Sequence, residues 1–174
     1  NYILMQLVLE AATRQPLHDL VRKYILDPLA MTSTYTQAFE TPPAVTLVDG
    51  WEDWDGDGRL EAVTAINDGW GLGDGALIST VGDLTTFYRA LLGDQTLLSP
   101  ASMAILLDFQ PDDVGDEYSL GLAAWESDFG MAWGHSGAVL GFVSIGFYLP
   151  DDDAIVMVLS ANAELDVYAV ALDA

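Results

Sequence analysis

Trp133-Gly134-His135-Ser136-Gly137-Ala138 is the stretch on which the fold reading turns. Before it, Gly130–His135 reads as a short strand, and after it Phe142–Leu149 alternates like another. His135 therefore ends a strand with small residues on both sides, a context that lets another group approach the backbone closely. That makes it a candidate site residue. The other histidine, His18, lies on a helical stretch beside Asp19 and reads as a surface residue. Gly134–Ala138 also fits the G-x-S-x-[GA] pattern of a nucleophile elbow. Two observations oppose that reading. An elbow is followed by a helix, and the acid and histidine of its triad come after the serine, whereas no His follows Ser136.

Working outward, Tyr118–Trp125 and Ala154–Ser160 complete a set of four short strands. Their turns hold acidic residues and Gly, most clearly at Pro150-Asp151-Asp152-Asp153, and connections this short make antiparallel neighbours. A last helix is expected from about Leu165. Upstream, Ile3, Leu4, Leu7, Val8 and Ala11 form a helical stripe over residues 3–13, and Leu17, Leu20, Val21, Tyr24 and Ile25 a second one that ends before Pro28. Residues 31–60 read as mainly loop, with Pro42-Pro43. Trp51–Val63 reads as strand, turn and strand around Asp55-Gly56-Asp57-Gly58. A Gly-rich stretch from Gly69 to Gly75 leads to Thr80, which with Asp83 forms a capping-box pattern. The helix it opens should bury Leu84, Phe87, Ala90 and Leu91. Ser99-Pro100 marks another helix start. Helices first, then a meander, then a helix is an α+β pattern, with helices packed on an antiparallel sheet. Residues 1–110 form its mainly helical and loop part and 111–174 its strands and C-terminal helix.

Composition narrows the function. Just over half of the 174 residues are hydrophobic (51%), which excludes a disordered chain. No apolar run reaches a membrane span. Twenty-seven acidic residues against 5 basic give a net charge of −22, a field that repels nucleic acid and anionic lipid. Its plain meaning is solubility, and it suits salty surroundings where cations screen the repulsion. The lack of Cys excludes disulfides, thiol catalysis and thiolate metal sites, and leaves the compartment open. The chain opens on Asn1-Tyr2-Ile3, directly into a helical pattern, which reads as the interior of something larger.

These segments resemble, in order, those of the class C β-lactamase, D-Ala-D-Ala carboxypeptidase and esterase family of serine hydrolases. Asn1–Leu4 through Asp27–Met31 is similar to its "NYxLLG…IFxPLGM" segment, and Gly73–Thr80 with Asp83-Leu84 to "AGGLxSTxxDLxxF". Leu97–Pro100 and Tyr118–Leu122 match "LLSPxS" and "YGLGW"; His135-Ser136-Gly137 with Gly141-Phe142 and Leu159–Asn162 match "GHSGxxxGFxS" and "VVLSN". Each match is short; the specificity lies in their order around HSG.

The resemblance implies the C-terminal part of a β-lactamase/transpeptidase-like fold with an incomplete sheet, leaving an edge or face exposed. It implies an acyl-enzyme route on an ester, a β-lactam or a D-amino-acid peptide. In such enzymes an S-x-x-K serine attacks, a Y-x-N tyrosine moves protons, and a K-T-G or H-S/T-G motif on the sheet's edge strand lines the cleft. By carry-over His135 and Ser136 supply electrostatics and hydrogen bonds, Gly137 permits close approach, and Ala138 lends its N–H to the oxyanion hole. A His in the lysine's place would pull on an anion only when protonated. No cofactor is implied; a small-molecule or peptide substrate and an extracytoplasmic location are. Nothing fixes the oligomeric state.

The departures are specific. Lys23 is the sole lysine and Leu20, not Ser, stands three residues before it; no Tyr has Asn two residues on. Ser160-Ala161-Asn162 fits S-x-N formally but follows HSG and reads as the end of the last strand; Asn162 is kept as a candidate substrate-binding residue. Both catalytic motifs are expected upstream of Asn1, so the chain alone should be inactive. Asp53–Leu60 fits the first eight positions of an EF-hand loop, but the twelfth is Thr64 and no helical pattern flanks it. An acidic hairpin turn is the favoured reading, with no metal site. The alternatives to a hydrolase are a non-catalytic β-lactamase-like binding module and an acidic calcium-binding surface module.

Overall fold

The structure is a computed structural model that describes residues 1–37, 39–41, 47–66, 73–75, 77–111 and 117–172. Pro42-Pro43 and Gly69–Leu72 of the Gly-rich stretch lie outside the described residues. Six strands form one antiparallel meander: β5 (Gln110–Pro111), β6 (Glu117–Tyr118), β7 (Ala123–Ser127), β8 (Gly130–Val139), β9 (Phe142–Leu149) and β10 (Ala154–Ser160), side by side in chain order. Two pairs stand apart, β1 (Tyr35–Thr36) with β4 (Leu77–Ile78) and β2 (Trp51–Glu52) with β3 (Glu61–Ala62). The helices are α1 (Tyr2–Thr13), α2 (Leu17–Val21), α3 (Val81–Tyr88), α4 (Pro100–Leu106) and α5 (Val167–Leu172); α2 and α3 each run on into a π-helical turn. Helices on an antiparallel sheet, the expected α+β class, are what the chain forms.

Side-chain alternation explains the layers. Trp133, Tyr148 and Ile155 stand in one cross-strand row and pack on Leu92, Leu122 and Tyr88, the α3 side. The opposite row, Ala132, Ile145, Phe147 and Leu149, packs on Val167 and Ala171 of α5. Phe147 and Ile145 are almost fully buried, each side chain contributing about 1.5–3 kcal/mol by leaving water. Trp125 meets Phe147 edge-on, ring centroids 5.6 Å apart, a geometry the aromatic quadrupoles favour.

The start signals work as written. Thr80 Oγ1 accepts the Asp83 N–H at 3.2 Å and Ser99 Oγ the Ser102 N–H at 3.2 Å, with Pro100 at the first helical position. The box at Thr80 is one-sided: the Asp83 carboxylate instead takes the Ser33 N–H and the Thr34 hydroxyl. Ala90 is buried, while Leu84, Phe87 and Leu91 are half-buried.

Several expectations need correcting. Tyr118–Trp125 is not one strand: a turn at Ser119–Leu122, closed by the Ser119 N–H on the Leu122 carbonyl, separates β6 from β7, and Gly121 carries its positive φ of 90°. The strand before the motif does not end at His135 but continues to Val139, because β9 pairs with it throughout. His18 is half-buried, its ring stacked on Phe39 at 5.1 Å. The helix expected from about Leu165 begins at Val167. The stripe on α1 is uncovered: the helix buries none of its residues, and Leu4 and Leu7 are well exposed. The outer edge of β10 is likewise unpaired among the described residues, apart from a parallel bridge between Trp51 and Asn162 beyond its end. No helix among the described residues is long and apolar enough to cross a membrane.

Candidate active site

The second half of β8 is the focus. β7 pairs with it only from Gly130 to Gly134, so among the described residues His135–Val139 is bonded on one side alone, to β9. Val139 and Phe142 close the β8–β9 hairpin across Leu140-Gly141, where Gly141 has φ 79°. Counting back from this closing pair, Val139, Gly137 and His135 exchange hydrogen bonds with β9. Ser136 and Ala138 therefore turn their N–H and carbonyl groups to the open edge. The motif does not lie on the outermost strand of the sheet; it lies on an inner strand that outruns its neighbour, which gives the same free N–H groups.

Glycine sets this up. A Cβ on Gly134 would stand 2.1 Å from the Gly146 carbonyl oxygen and 2.7 Å from Phe147 Cα, so β8 and β9 meet too closely there for any side chain. Opposite His135, the carbonyl of Gly146 also accepts the Tyr88 hydroxyl at 2.9 Å. Burial pushes that phenol up to about 12, against the pull of the His135 backbone N–H.

His135 and Ser136 point to opposite faces of the sheet, the histidine to the side of Trp133. His135 is exposed, and both ring nitrogens have partners: Nδ1 bonds the Ser136 carbonyl, and Nε2 lies 3.1 Å from the Tyr118 hydroxyl. Tyr118 in turn meets the Tyr2 hydroxyl at 2.8 Å. Burial first, then this contact with Tyr2, push the Tyr118 phenol up to about 12. Sequence reasoning missed Tyr2, Tyr88 and Tyr118. They carry no motif of their own and come together only through sheet register and helix packing.

Two cavities flank the free edge. One of about 400 Å³ is lined by Gly137, Ala138, Val139, Phe142, Leu159 and Asp74, among others, and is mostly apolar. Ser79 also borders it, donating to Thr34 Oγ1 at 2.7 Å while Thr34 donates to Asp83 at 2.7 Å. The second, about 410 Å³, lies against His135 and Ser136, with Trp125, Tyr168, Glu126 and Asp128. Among the described residues no Lys or Arg lines either. The structure thus brings His135, Ser136, Gly137 and Ala138 to one edge. It places Asn162 beyond the end of β10, its side-chain oxygen accepting the Glu164 N–H at 3.0 Å.

The acidic turn joins β2 to β3. Oxygens of Asp53, Asp55 and Asp57 lie within 4.8 Å of one another. Their carboxylates accept loop N–H groups: Asp53 that of Gly58 at 2.9 Å, Asp55 that of Asp57 and Asp57 that of Arg59. Strands rather than helices flank the loop, as an acidic hairpin requires.

Nothing at this site behaves as a nucleophile elbow. Gly134–Ala138 is extended throughout, and a strand rather than a helix follows. Set against known proteins, the chain superposes on several solved enzymes. A D-amino acid amidase from Ochrobactrum anthropi SV3 matches with a TM-score of 0.80 at 23% identity, over 98% of this chain and 50% of the other. A penicillin binding protein from Bacillus halodurans matches at 0.78 and 23%, over 97% and 53%. An octameric penicillin-binding protein homologue from Pyrococcus abyssi matches at 0.80 and 21%, over 98% and 39%. The chain spans about half the length of these structures, and at such identities the likeness is one of fold. The sequence pattern of the Beta-lactamase family matches residues 1–173, and with the ordered motifs and the shared fold it establishes that the chain belongs to the beta-lactamase family.

Proposed function

We propose that this chain forms one wall of a serine hydrolase site that works through an acyl-enzyme, with the attacking serine supplied from outside these 174 residues. The observation that carries the reading is the free edge of β8. Among the described residues the N–H groups of Ser136 and Ala138 are unpaired, and that of Ala138 stands beside an apolar cavity, the arrangement needed to hold a developing oxyanion. Ala138 is the oxyanion donor in this scheme, Gly137 keeps the edge thin, and His135 and Ser136 bind and orient. Ser136 is no nucleophile. The chain has no S-x-x-K and no Y-x-N, so by itself it turns nothing over.

The charges favour one part of the substrate range. β-Lactams and peptides with a free C-terminus bring a carboxylate, which calls for a cation in the site. Neither cavity beside β8 offers Lys or Arg, and Asp74 lines the more apolar one. Arg22 is engaged by Glu40 and Asp27, Arg89 by Asp153 and Arg59 by Asp57. The substrate that this wall suits is an ester or amide with an apolar acyl group that is neutral or cationic near the scissile bond, such as an amino-acid amide. The D-amino acid amidase among the similar structures acts on a substrate of that kind, as its name says.

The test uses the longer protein that contains this chain together with an S-x-x-K serine. Ala138→Pro removes the outward N–H, which the β9 ladder does not use. It should lower kcat on a chromogenic amino-acid amide by about 10²–10³-fold. An unchanged kcat, or a preference for an anionic β-lactam over the amide, would contradict the reading.

A further inference from the structure

The side chain of His135 is held at both nitrogens, and the two contacts are not equivalent. A carbonyl oxygen can only accept, so the bond between Nδ1 and the Ser136 carbonyl requires the proton on Nδ1. In the neutral ring Nε2 is then a bare acceptor. The group facing it, 3.1 Å away, is the Tyr118 hydroxyl, which must be the donor. Having spent its proton on His135, Tyr118 can only accept from the Tyr2 hydroxyl at 2.8 Å. The direction of the whole chain follows: Tyr2 to Tyr118, Tyr118 to Nε2, Nδ1 to the Ser136 carbonyl. The rings of Tyr118 and His135 meet edge-on at 5.8 Å and 78°, which limits rotation of the imidazole.

We propose that Tyr118 is a positioning residue that fixes the tautomer and orientation of His135, with Tyr2 as the outer end of a hydrogen-bond relay running from the free edge of β8 to the surface. Three elements far apart in sequence supply it: Tyr2 opens α1, Tyr118 ends β6 and His135 lies on β8. Their meeting is a product of the fold. Tyr118 stays protonated and able to donate over the ordinary pH range because its phenol is raised by burial and by Tyr2. When His135 takes up a proton, Nε2–H becomes the donor, Tyr118 turns its O–H to donate to Tyr2, and Tyr2, exposed at 42%, turns its own O–H to water. The imidazole gains one proton and both phenols keep theirs, so only the direction of donation reverses. Throughout, the Nδ1–H keeps its hold on the Ser136 carbonyl, which lies on the same open edge as the N–H of Ala138. The hydrogen-bond inference stands on this geometry alone; only its use in catalysis rests on the hydrolase reading.

Long-range proton–nitrogen NMR spectra of the 174-residue chain test it, since only His18 and His135 contribute and a His18→Gln variant separates them. With the ring neutral, His135 should show a protonated Nδ1 and an unprotonated Nε2. Tyr118→Phe should abolish that pattern, giving two nitrogens averaged between the forms, while Tyr2→Phe should preserve it. A neutral His135 with its proton on Nε2, or a Tyr118→Phe spectrum identical to that of the parent chain, would overturn the inference and leave the hydrolase reading untouched. If Tyr118→Phe fails to fold, the tautomer in the parent chain still decides.

Discussion

Gly134 and Gly137 look alike in the sequence, one on each side of the His-Ser pair, yet they answer to different neighbours. Small residues around His135 were read as room for an approaching group. At Gly134 the approaching group is the partner strand: an added Cβ would strike the Gly146 carbonyl and the Phe147 backbone, neither of which can swing aside. At Gly137 it would meet only the Ser144 hydroxyl, 2.9 Å away, the end of a small side chain that can rotate. Gly134→Ala should therefore cost about 1–3 kcal/mol or more in urea unfolding, and Gly137→Ala less than about 1 kcal/mol. Equal costs at both positions would contradict the account. The motif was legible in the sequence because His135, Ser136, Gly137 and Ala138 stand together in it. The tyrosines that serve His135 were not, because register, not spacing, brings them there.

At the scale of elements, alternation was the readable signal. It placed β9 and β10 at the bounds the structure shows, Phe142–Leu149 and Ala154–Ser160. It failed where glycine intervened. The Gly-rich motif looked like the end of a strand, yet pairing with β9 carries β8 to Val139, and the turn at Gly121 hid inside what read as one strand. Register also yields a prediction that sequence could not. The pairing puts Val156 and Val158 in hydrogen-bonded positions against Phe147 and Ile145, leaving Ile155, Met157 and Leu159 to turn their N–H groups outward. Amide exchange should alternate along β10, slow at Val156 and Val158 and fast at Ile155, Met157 and Leu159. Uniform protection would show that another strand covers this edge.

For the whole molecule, the α+β class and the order of helices and strands followed from the sequence, as did the exposed edge of the sheet. That the stripe on α1 stays uncovered did not, because periodicity reports which side of a helix is apolar and says nothing of what covers it. The charge of −22 repels nucleic acid, and the same shortage of cations underlies the proposed preference for an uncharged substrate, since among the described residues neither cavity by β8 holds a Lys or Arg to receive an anion. All of this converges on one claim: β8 is the wall of an acyl-transfer site and Ser136 is not its nucleophile. Intact mass measurement of the 174-residue chain after exposure to a serine-reactive fluorophosphonate tests that claim most directly. The account predicts an unmodified mass, and an adduct that maps to Ser136 and disappears in Ser136→Ala would contradict it.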